Sequence, residues 1–359
     1  MPELRRDPII DRWVIIAENR GERPGAFAAG LPEPLSRQDS FTERSSENTP
    51  NAADICPFCP GNERETPPAT FELRADPGRP DAPGWRVRIV PNKYPALIDK
   101  DAGLAVPSRG SVDLSAESSL FISAPAAGVH EVLIDTPRHI TVLGELTNAE
   151  LADSLAATRL RLQAIRRQTD LVHALVFRNV GRAAGATREH LHSQLMATHD
   201  VASLVRAELE GAKRFFADCR RCVFCRMIDE EGTLNKRVVS ESRAFIALCP
   251  YASRFPYEIC ILPKEHASHF EQTAVEDLAD LANLTRGTIA KIERLSQPPA
   301  YNLIVHTSPF DSLSIEHYHW HIEIIPRLTI PAGFEWGSGW AVNPVSPETA
   351  AEVLRGMDG

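Results

Sequence analysis

The chain has 359 residues, of which 43% are hydrophobic and 24% are charged, a composition typical of a globular protein long enough for about two domains. Its formal net charge of -9 argues against broad nucleic-acid binding, which relies on clustered lysines and arginines. The N-terminal residues lack the apolar stretch of a signal peptide, and no run reaches the roughly 18 apolar residues that span a membrane. We therefore expect a cytoplasmic protein that binds neither nucleic acid nor membranes.

The first predicted feature in chain order is a long loop from Gly21 to Ala53, where proline, serine, glutamate and asparagine are frequent and hydrophobic periodicity is weak. It leads into CPFCPGNE, which contains Cys56 and Cys59. A second loop is predicted from Lys100 to Gly128. Neither loop has the features of a linker between independent domains.

The next segment combines strands with one helix. HEVLIDTPRH, from His130 to His139, reads as a strand that ends in a histidine. TNAE, from Thr147 to Glu150, has the pattern of a capping box at a helix start. The strands HALVFRNV and HLHSQLMA follow the helix. One face of the helix is predicted to carry Leu151, Leu155, Leu162 and Ile165.

The second part of the chain has the same order of elements. YEICILPKEH, from Tyr257 to His266, again ends in a histidine, and TAVE, from Thr273 to Glu276, again resembles a capping box. The strands YNLIVHTS and HYHWHIEIIP close the unit. The apolar stripe of its helix is predicted to comprise Leu278, Leu281, Ile289, Ile292 and Leu295.

The matching order indicates an internal repeat. His139 and His266 lie 127 residues apart, and so do His192 and His319, so two copies of one strand, helix, strand, strand unit are inferred. We therefore predict an α+β fold with two similar halves, residues 1–200 and 201–359, each an antiparallel sheet with packed helices and its own metal site.

The last strand of each half is rich in histidine. Side chains on a strand alternate between its faces, so HLHSQLM places His190, His192 and Gln194 on one face. HYHWHIEII likewise predicts one polar face with His317, His319, His321 and Glu323. One histidine in a strand is usually a hydrogen-bonded core residue, but two matched strands of this kind indicate ligands or catalytic groups.

Each histidine strand has a C-x-x-C pair upstream. Seven cysteines without a secretory signal disfavour a disulfide framework, whereas zinc takes four nitrogen or sulfur ligands and C-x-x-C supplies two thiolates. We therefore predict two zinc sites. The first comprises Cys56, Cys59, His139 and His190, and the second comprises Cys222, Cys225, His266 and either His319 or His317.

The second metal site has an alternative composition. Glu208, His306, His319 and His321 could instead form an oxygen and nitrogen site suited to iron or zinc. The sequence leaves both compositions open.

Several motifs together resemble the galactose-1-phosphate uridylyltransferase family, a branch of the histidine-triad superfamily, including its nucleotide-sugar phosphorylase-like relatives. The resemblance covers nearly the whole chain. It runs through ELRRDPIIDRWVIIA, CPFCPGNE, VPNKYPAL, FRNVGRAAGATREHLHSQLMA and GFEWGSGWAVNPVSPE, and the H-x-H-x-Q element with its upstream glycine loop is its most specific part.

The resemblance implies roles for the residues that match the family's motifs. His192 matches the nucleophile, and Gln194 matches a glutamine that hydrogen-bonds the phosphoryl group. The zinc ligands of the family match His190, Cys56, Cys59 and His139, its nucleotide and phosphate contacts match Arg20, Arg23, Asn92, Asn179, Gly185 and Thr187, and its sugar-phosphate region matches Phe334. Family members pair as homodimers, so a homodimer is expected.

The implied reaction is a double displacement through a nucleotidyl-histidine on His192, with a nucleotide sugar and a sugar phosphate as substrates. The leading hypothesis is UDP-glucose to hexose-1-phosphate uridylyl transfer. The alternative is a phosphorylase that cleaves an ADP-sugar or a dinucleoside polyphosphate with inorganic phosphate. Gln194 stands where hydrolytic relatives have a third histidine, and an amide exchanges no proton, which favours transfer over hydrolysis.

Two departures weaken the uridylyl assignment. Gly333 precedes Phe334 where the uridylyltransferases have a lysine, so a cation for the hexose phosphate is missing, and Lys93 replaces an acidic residue beside Asn92. A zinc-stabilised binding protein without catalysis is disfavoured because Cys59 and His139 lie 80 residues apart, too far for the usual compact zinc module. The second half lacks the glycine loop, and we predict that its role is structural.

Overall fold

The computed structural model describes residues 3–10, 13–16, 56–75, 78–97, 126–168 and 170–357. Within them the fold is α+β, as predicted. The helices are α1 (Asn148–Arg166), α2 (Ser203–Cys219), α3 (Val223–Leu234), α4 (Leu278–Glu293), α5 (Gly333–Ser338) and α6 (Pro347–Arg355). Among these described helices, none has the length and apolar character needed to cross a membrane.

Thirteen strands form two sheets in the described part of the chain. The strands are β1 (Glu3–Arg6), β2 (Trp13–Ile16), β3 (Phe71–Arg74), β4 (Trp85–Pro91), β5 (Gly128–Ile134), β6 (His173–Val180), β7 (His192–Thr198), β8 (Val238–Glu241), β9 (Phe245–Leu248), β10 (Ile259–Pro263), β11 (Tyr301–His306), β12 (His321–Pro326) and β13 (Ala341–Asn343). The small sheet has the order β1, β2, β13.

The large sheet has ten strands in the order β3, β4, β5, β7, β6, β11, β12, β10, β9, β8, and its neighbours are antiparallel. Strands of the first half occupy one end and strands of the second half the other. They meet at β6 and β11, where Phe177 pairs with Ile304. The internal repeat is therefore built into one continuous sheet, while the division at residues 200 and 201 stays a prediction.

Helices α1 and α4 pack against each other over this sheet, because each has an apolar stripe. Every residue of both predicted stripes is buried in one common core. The start of α1 confirms its capping box: Oγ1 of Thr147 accepts from the Glu150 backbone amide, and the Glu150 carboxylate accepts from the Thr147 amide at 2.8 Å. The hydrophobic burial and the cap thus agree on where α1 begins.

The prediction of a capping box from Thr273 to Glu276 was wrong. Helix α4 begins at Leu278, after a 3₁₀ turn over Val275–Asp277, while Thr273 ends an earlier 3₁₀ turn over Phe270–Gln272. The Thr273 carbonyl accepts from Nε of Arg159 at 2.7 Å, and burial of Phe270 holds this turn against the core. Tertiary contacts therefore override the local cap signal.

The histidine strands begin later than predicted. Strand β7 begins at His192 and β12 at His321, so His190 and His319 lie just before regular pairing. The reason is that the approach segments hydrogen-bond turns rather than neighbouring strands. The Leu191 amide donates to the Ile140 carbonyl at 2.7 Å, and the Trp320 amide donates to the Ala267 carbonyl at 2.9 Å.

Candidate active site

The first cysteine and histidine cluster joins residues from three separate segments. Ligand atoms of Cys56, Cys59, His139 and His190 all lie within 4.8 Å of one another. The Sγ to Nδ1 distances are 3.3 Å for Cys59 and His139 and 3.6 Å for Cys59 and His190. Zinc bonds of about 2.0 to 2.3 Å in a tetrahedron put sulfur and nitrogen about 3.5 Å apart. The donor set and its spacing therefore fit a tetrahedral metal site.

The surroundings of this cluster set the protonation of its ligand atoms. Nε2 of His190 lies 2.9 Å from the Thr136 carbonyl and donates to it, so its Nδ1 carries the lone pair that faces the thiols. Burial lowers the pKa of His190 to about 4, which keeps the ring neutral. Burial, reinforced by Cys56, raises the pKa of the Cys59 thiol to about 12. Binding of a cation must therefore release protons from the thiols.

A second cluster repeats this geometry in the other half. It comprises Cys222, Cys225, His266 and His319. Sγ of Cys225 lies 3.4 Å from Nδ1 of His266 and 3.7 Å from Nδ1 of His319. The second ring nitrogens donate to the Ile315 and Pro263 carbonyls at 3.1 and 2.9 Å. The structure thus selects His319 over His317 and brings together the first of the two predicted compositions.

The alternative composition was wrong in one member. Glu208, His306 and His321 form a third group whose ligand atoms also lie within 4.8 Å, but His319 belongs to the second cluster. Oε1 of Glu208 lies 3.2 Å from Nε2 of His321, and Oε2 lies 3.6 Å from Nδ1 of His306. Although burial opposes it, Glu208 and Glu323 raise the pKa of His306 to about 10. This group is therefore an ion-paired network as it stands.

The repeat offset also needs correction. By role in the clusters His190 matches His319, and His192 matches His321, so the histidine strands are offset by 129 residues. The turn histidines His139 and His266 keep the offset of 127. The segment between the ligands is therefore two residues longer in the second half.

The predicted nucleophile His192 begins β7 directly beside the first cluster. Its Nδ1 lies 2.9 Å from the His190 carbonyl, and a carbonyl can only accept, so Nδ1 carries the proton and Nε2 the lone pair. Burial lowers the pKa of His192, partly offset by this hydrogen bond. Phe58, inside the first C-x-x-C pair, lies against the ring with centroids 5.4 Å apart. The imidazole is thus neutral near pH 7 and fixed in one tautomer.

Gln194 lies on the same strand face, where sequence reasoning missed a partner. Oε1 of Gln194 is 2.9 Å from Nε2 of His130, on the neighbouring strand β5. The predicted nucleotide contact Asn92 joins the same group, with Nδ2 3.0 Å from Nε2 of His130. The sequence signal for this contact was the alternation of side chains along HEVLID. It puts His130 on the face of β5 that, in the pairing with β7, also carries Gln194.

The glycine loop between β6 and β7 depends on backbone conformations that favour glycine. Gly181 has φ of 76° and Gly185 has φ of 88°, and a Cβ on Gly181 would lie 2.4 Å from the Pro299 carbonyl oxygen. Asn302 of β11 donates to Oδ1 of Asn179 at 2.8 Å and to the Ala184 carbonyl at 2.9 Å. The second half thus supports this loop, a contact that sequence reasoning did not find.

A buried ion pair lies on the opposite side of β7. Arg178 and the Ser154 hydroxyl both donate to Oδ1 of Asp135, and Ser193 lies 3.5 Å from the same carboxylate. Asp135 and Arg178 are both almost fully buried. Because Ser193 lies between His192 and Gln194, this network holds the strand that carries them.

The remaining predicted residues are Arg20, Arg23, Thr187 and Phe334. Arg20 and Arg23 lie outside the described residues. Thr187 is exposed just before the site, and Phe334 lies on α5 with 52% of its surface exposed. Among the contacts of the described residues, none joins Phe334 to His192.

The family model for the N-terminal domain of galactose-1-phosphate uridyl transferase matches residues 1–202, and a model described only as a domain of unknown function matches residues 128–357. ADP-glucose phosphorylase from Arabidopsis thaliana is 33% identical over 99% of this chain and 92% of its own length. Galactose-1-phosphate uridylyltransferase from Thermotoga maritima is 26% identical over 99% of this chain and 98% of its own.

Solved structures agree with these matches. The crystal structure of an ADP-glucose phosphorylase from Arabidopsis thaliana with bound ADP-glucose superposes with a TM-score of 0.78 at 32% identity, covering 100% of this chain and 99% of that one. A uridylyltransferase structure superposes with a TM-score of 0.70 at 25% identity, covering 99% and 98%. The similarity therefore extends over nearly the whole length of each chain.

Proposed function

The chain belongs to the galactose-1-phosphate uridylyltransferase family and is a nucleotidyltransferase-type enzyme, and from this premise we propose that it transfers a nucleotidyl group through a covalent adduct on His192. The observation that carries the proposal is the fixed tautomer of His192. Its Nδ1 hydrogen is held by the His190 carbonyl at 2.9 Å, and no described residue hydrogen-bonds Nε2. The lone pair of Nε2 is therefore available to attack phosphorus.

The proposed reaction has two displacements at the same phosphorus. In the first, Nε2 of His192 forms a bond to the α-phosphorus of a nucleotide sugar while the bond to the sugar phosphate breaks, and the sugar 1-phosphate leaves as an anion. In the second, an oxygen of the acceptor phosphate attacks and the phosphorus to nitrogen bond breaks. Both leaving group and acceptor are phosphates, so neither step needs a proton from Gln194.

The chain's own donors stabilise the charge that develops on the phosphoryl oxygens. The amide nitrogen of Gln194 supplies two hydrogens on the same strand face as His192. The glycine loop is proposed to add the backbone amides of Arg182 and Ala183, since those of Ala184 and Gly185 already donate to the Gly181 and Arg182 carbonyls. Such prepositioned donors supply most of the catalysis in phosphoryl transfer, where the transition state asks for little covalent help. Asn92 lies at the edge of this group and is proposed to contact the nucleotide.

For the substrate we propose an adenylyl sugar as donor and inorganic phosphate as acceptor. The support is the 33% identity over 99% of the chain with an ADP-glucose phosphorylase and the TM-score of 0.78 to such an enzyme. Gly333, in place of a lysine, also agrees with an acceptor smaller than a hexose phosphate. The sequence alone put uridylyl transfer to a hexose 1-phosphate first, and this remains the second candidate because uridylyltransferases match at 26% identity.

We propose that each cysteine and histidine cluster holds one zinc ion. Two sulfur and two nitrogen donors at tetrahedral spacing fit zinc and leave no coordination position open. A zinc ion in such a closed site supplies structural cross-linking, which here would hold His190 and so the strand of His192. Iron is the alternative metal for the second cluster.

A cytoplasmic homodimer is proposed as well, and light scattering of the purified protein tests the dimer.

The deciding experiment traps the adduct. The purified protein is incubated separately with ADP-glucose, UDP-glucose and UDP-galactose, its intact mass is recorded, and the adduct is mapped by peptide analysis. An AMP adduct on His192 that phosphate discharges supports the phosphorylase. A UMP adduct discharged only by galactose 1-phosphate supports the second candidate. No adduct with any donor, from protein that holds its metal, would refute covalent catalysis.

A further inference from the structure

His130 lies on the strand next to the nucleophile and contacts two predicted substrate-binding residues. In the β5 and β7 register, His130 pairs with Met196, while Val132 pairs with Gln194 and Ile134 with His192. Residues two apart on a strand share a face, so His130 is a diagonal neighbour of Gln194. The ring is half-buried and reaches Oε1 of Gln194 at 2.9 Å.

The proton on the His130 ring can be placed by counting donors. Nδ1 of His130 lies 2.9 Å from the backbone nitrogen of Ala96, which can only donate. Nδ1 must therefore be the acceptor, and a neutral ring carries its hydrogen on Nε2. Nε2 then donates to Oε1 of Gln194. The backbone of the segment after β4 thus fixes the tautomer of His130.

This hydrogen bond decides which end of the Gln194 amide faces the ligand. An amide rotated by 180° exchanges its carbonyl oxygen for its NH₂ group at nearly unchanged shape. A carbonyl oxygen presented to anionic phosphoryl oxygens would repel them, whereas NH₂ would donate to them. With Oε1 held by His130, the nitrogen of Gln194 is the group left for the phosphoryl oxygens.

We propose that His130 is a positioning residue that holds the Gln194 amide with its NH₂ group toward the transferred phosphoryl group. The inference rests on the nucleotidyl-transfer function proposed above. The same tautomer excludes a hydrogen bond between His130 and Asn92. Oδ1 of Asn92 accepts from the Tyr94 amide at 2.9 Å, and its nitrogen lies 3.0 Å from Nε2 of His130, a donor. The hydrogens of Asn92 are therefore left for a different acceptor.

The test is a double-mutant cycle. The rate of adduct formation on His192 is measured in single turnovers, with the nucleotide sugar that labels the wild-type protein. His130→Leu removes the ring N–H, and we expect the rate to fall about 10- to 100-fold, the order of loss known for hydrogen-bond partners that orient metal ligands. His130→Gln keeps a nitrogen near the position of Nε2 and should recover most of the rate. Thermal unfolding of each variant controls for folding.

The cycle separates positioning from a structural role. If His130 acts through Gln194, then His130→Leu added to Gln194→Ala lowers the rate no further than Gln194→Ala alone. Losses that multiply in the double variant, or a His130→Leu variant as fast as wild type, would overturn the inference. These outcomes are distinct from failure of the proposed function, because in that case the wild-type protein itself forms no adduct.

Discussion

The two halves of this protein have the same histidine frame but differ in what surrounds it. In both, a histidine beside a cysteine pair presents its backbone carbonyl to Nδ1 of the histidine two residues later, at 2.9 Å for His192 and 3.1 Å for His321. For His192, no described residue takes the remaining nitrogen. For His321, Oε1 of Glu208 lies 3.2 Å from it. The motif sets the tautomer of the second histidine, and the neighbouring side chains determine whether its other ring nitrogen is available to react.

The rings are also packed differently. His321 lies between Phe224, stacked with centroids 5.3 Å apart, and His306, stacked at 4.5 Å, and it is almost fully buried. At the position of Gln194 the second half has Glu323, which bonds Arg254 at 2.9 Å. A carboxylate there would repel a phosphoryl group. The second half therefore has the same histidine frame, with ion pairs around the residues that match His192 and Gln194.

The largest expected effect tests whether only one half reacts. His192→Asn should lower the rate of nucleotidyl-protein formation at least about 10⁴-fold, since removal of a nucleophile has effects of this order. His321→Asn is the matched control and should still form the adduct. The measurement is intact mass after incubation with the donor. An adduct that persists in His192→Asn would show that His192 is not the only nucleophile, and one that maps to His321 would show that the second half also reacts.

The next test asks whether the two metal clusters serve different purposes. Cys59→Ser and Cys225→Ser should each lower the bound metal by one ion per chain, measured by elemental analysis. Cys59→Ser should also slow adduct formation about 10- to 100-fold, because its cluster holds the residue that orients His192. Cys225→Ser should leave the rate of the folded protein unchanged. Equal rate losses in both variants would remove the distinction.

The ion pairs of the second half should appear in the pH dependence of stability. Because the folded pKa of His306 is raised to about 10, its contribution is complete below the unfolded value near 6.5 and is lost as pH rises toward 10. The free energy of unfolding, measured with urea, should therefore fall across this window. Glu208→Gln should lower it at pH 7 by about 3 kcal/mol and flatten its pH profile.

Glu208→Gln gives a clear result in either direction. A profile as steep as that of the wild-type protein would show that Glu208 does not set the charge of His306. A rise in stability would show that burial of the charges costs more than their pairing returns.

The smallest effect compares the two helix starts. Thr147→Ala removes a confirmed capping box and should lower the free energy of unfolding by about 1 kcal/mol. The Thr273 hydroxyl is buried and makes no described hydrogen bond, so Thr273→Val should be neutral or slightly stabilising. Urea denaturation of both variants measures the difference. An equal loss in both would mean that Thr273 has a partner in solution.

Much of the site could be predicted because the residue types alone determine which side chains can act as metal ligands. Thiols and histidines that recur in the same order twice indicated both clusters, and a capping box and apolar stripe placed α1. The clusters were within reach because few residue types can serve as zinc ligands. Metal identity and the site roles stay predictions.

The parts that sequence reasoning missed depend on geometry between distant segments. His130 lies 64 residues from Gln194, and only the strand register makes them neighbours. The two-residue insertion between the ligands of the second half hid the match of His192 with His321, because spacing alone reports distance along the chain and not role. The failed cap at Thr273 reflects a turn held by the core, which no local pattern records.

The junction of β6 and β11 has a consequence for how such a duplicated protein can evolve. Asn302, from the half with the filled site, donates to both Asn179 and Ala184 of the glycine loop. Separation of the halves would remove these donors and expose β6 as an unpaired sheet edge, which invites aggregation. The second half can thus be retained by selection for this contact alone, whether or not it carries out a reaction of its own.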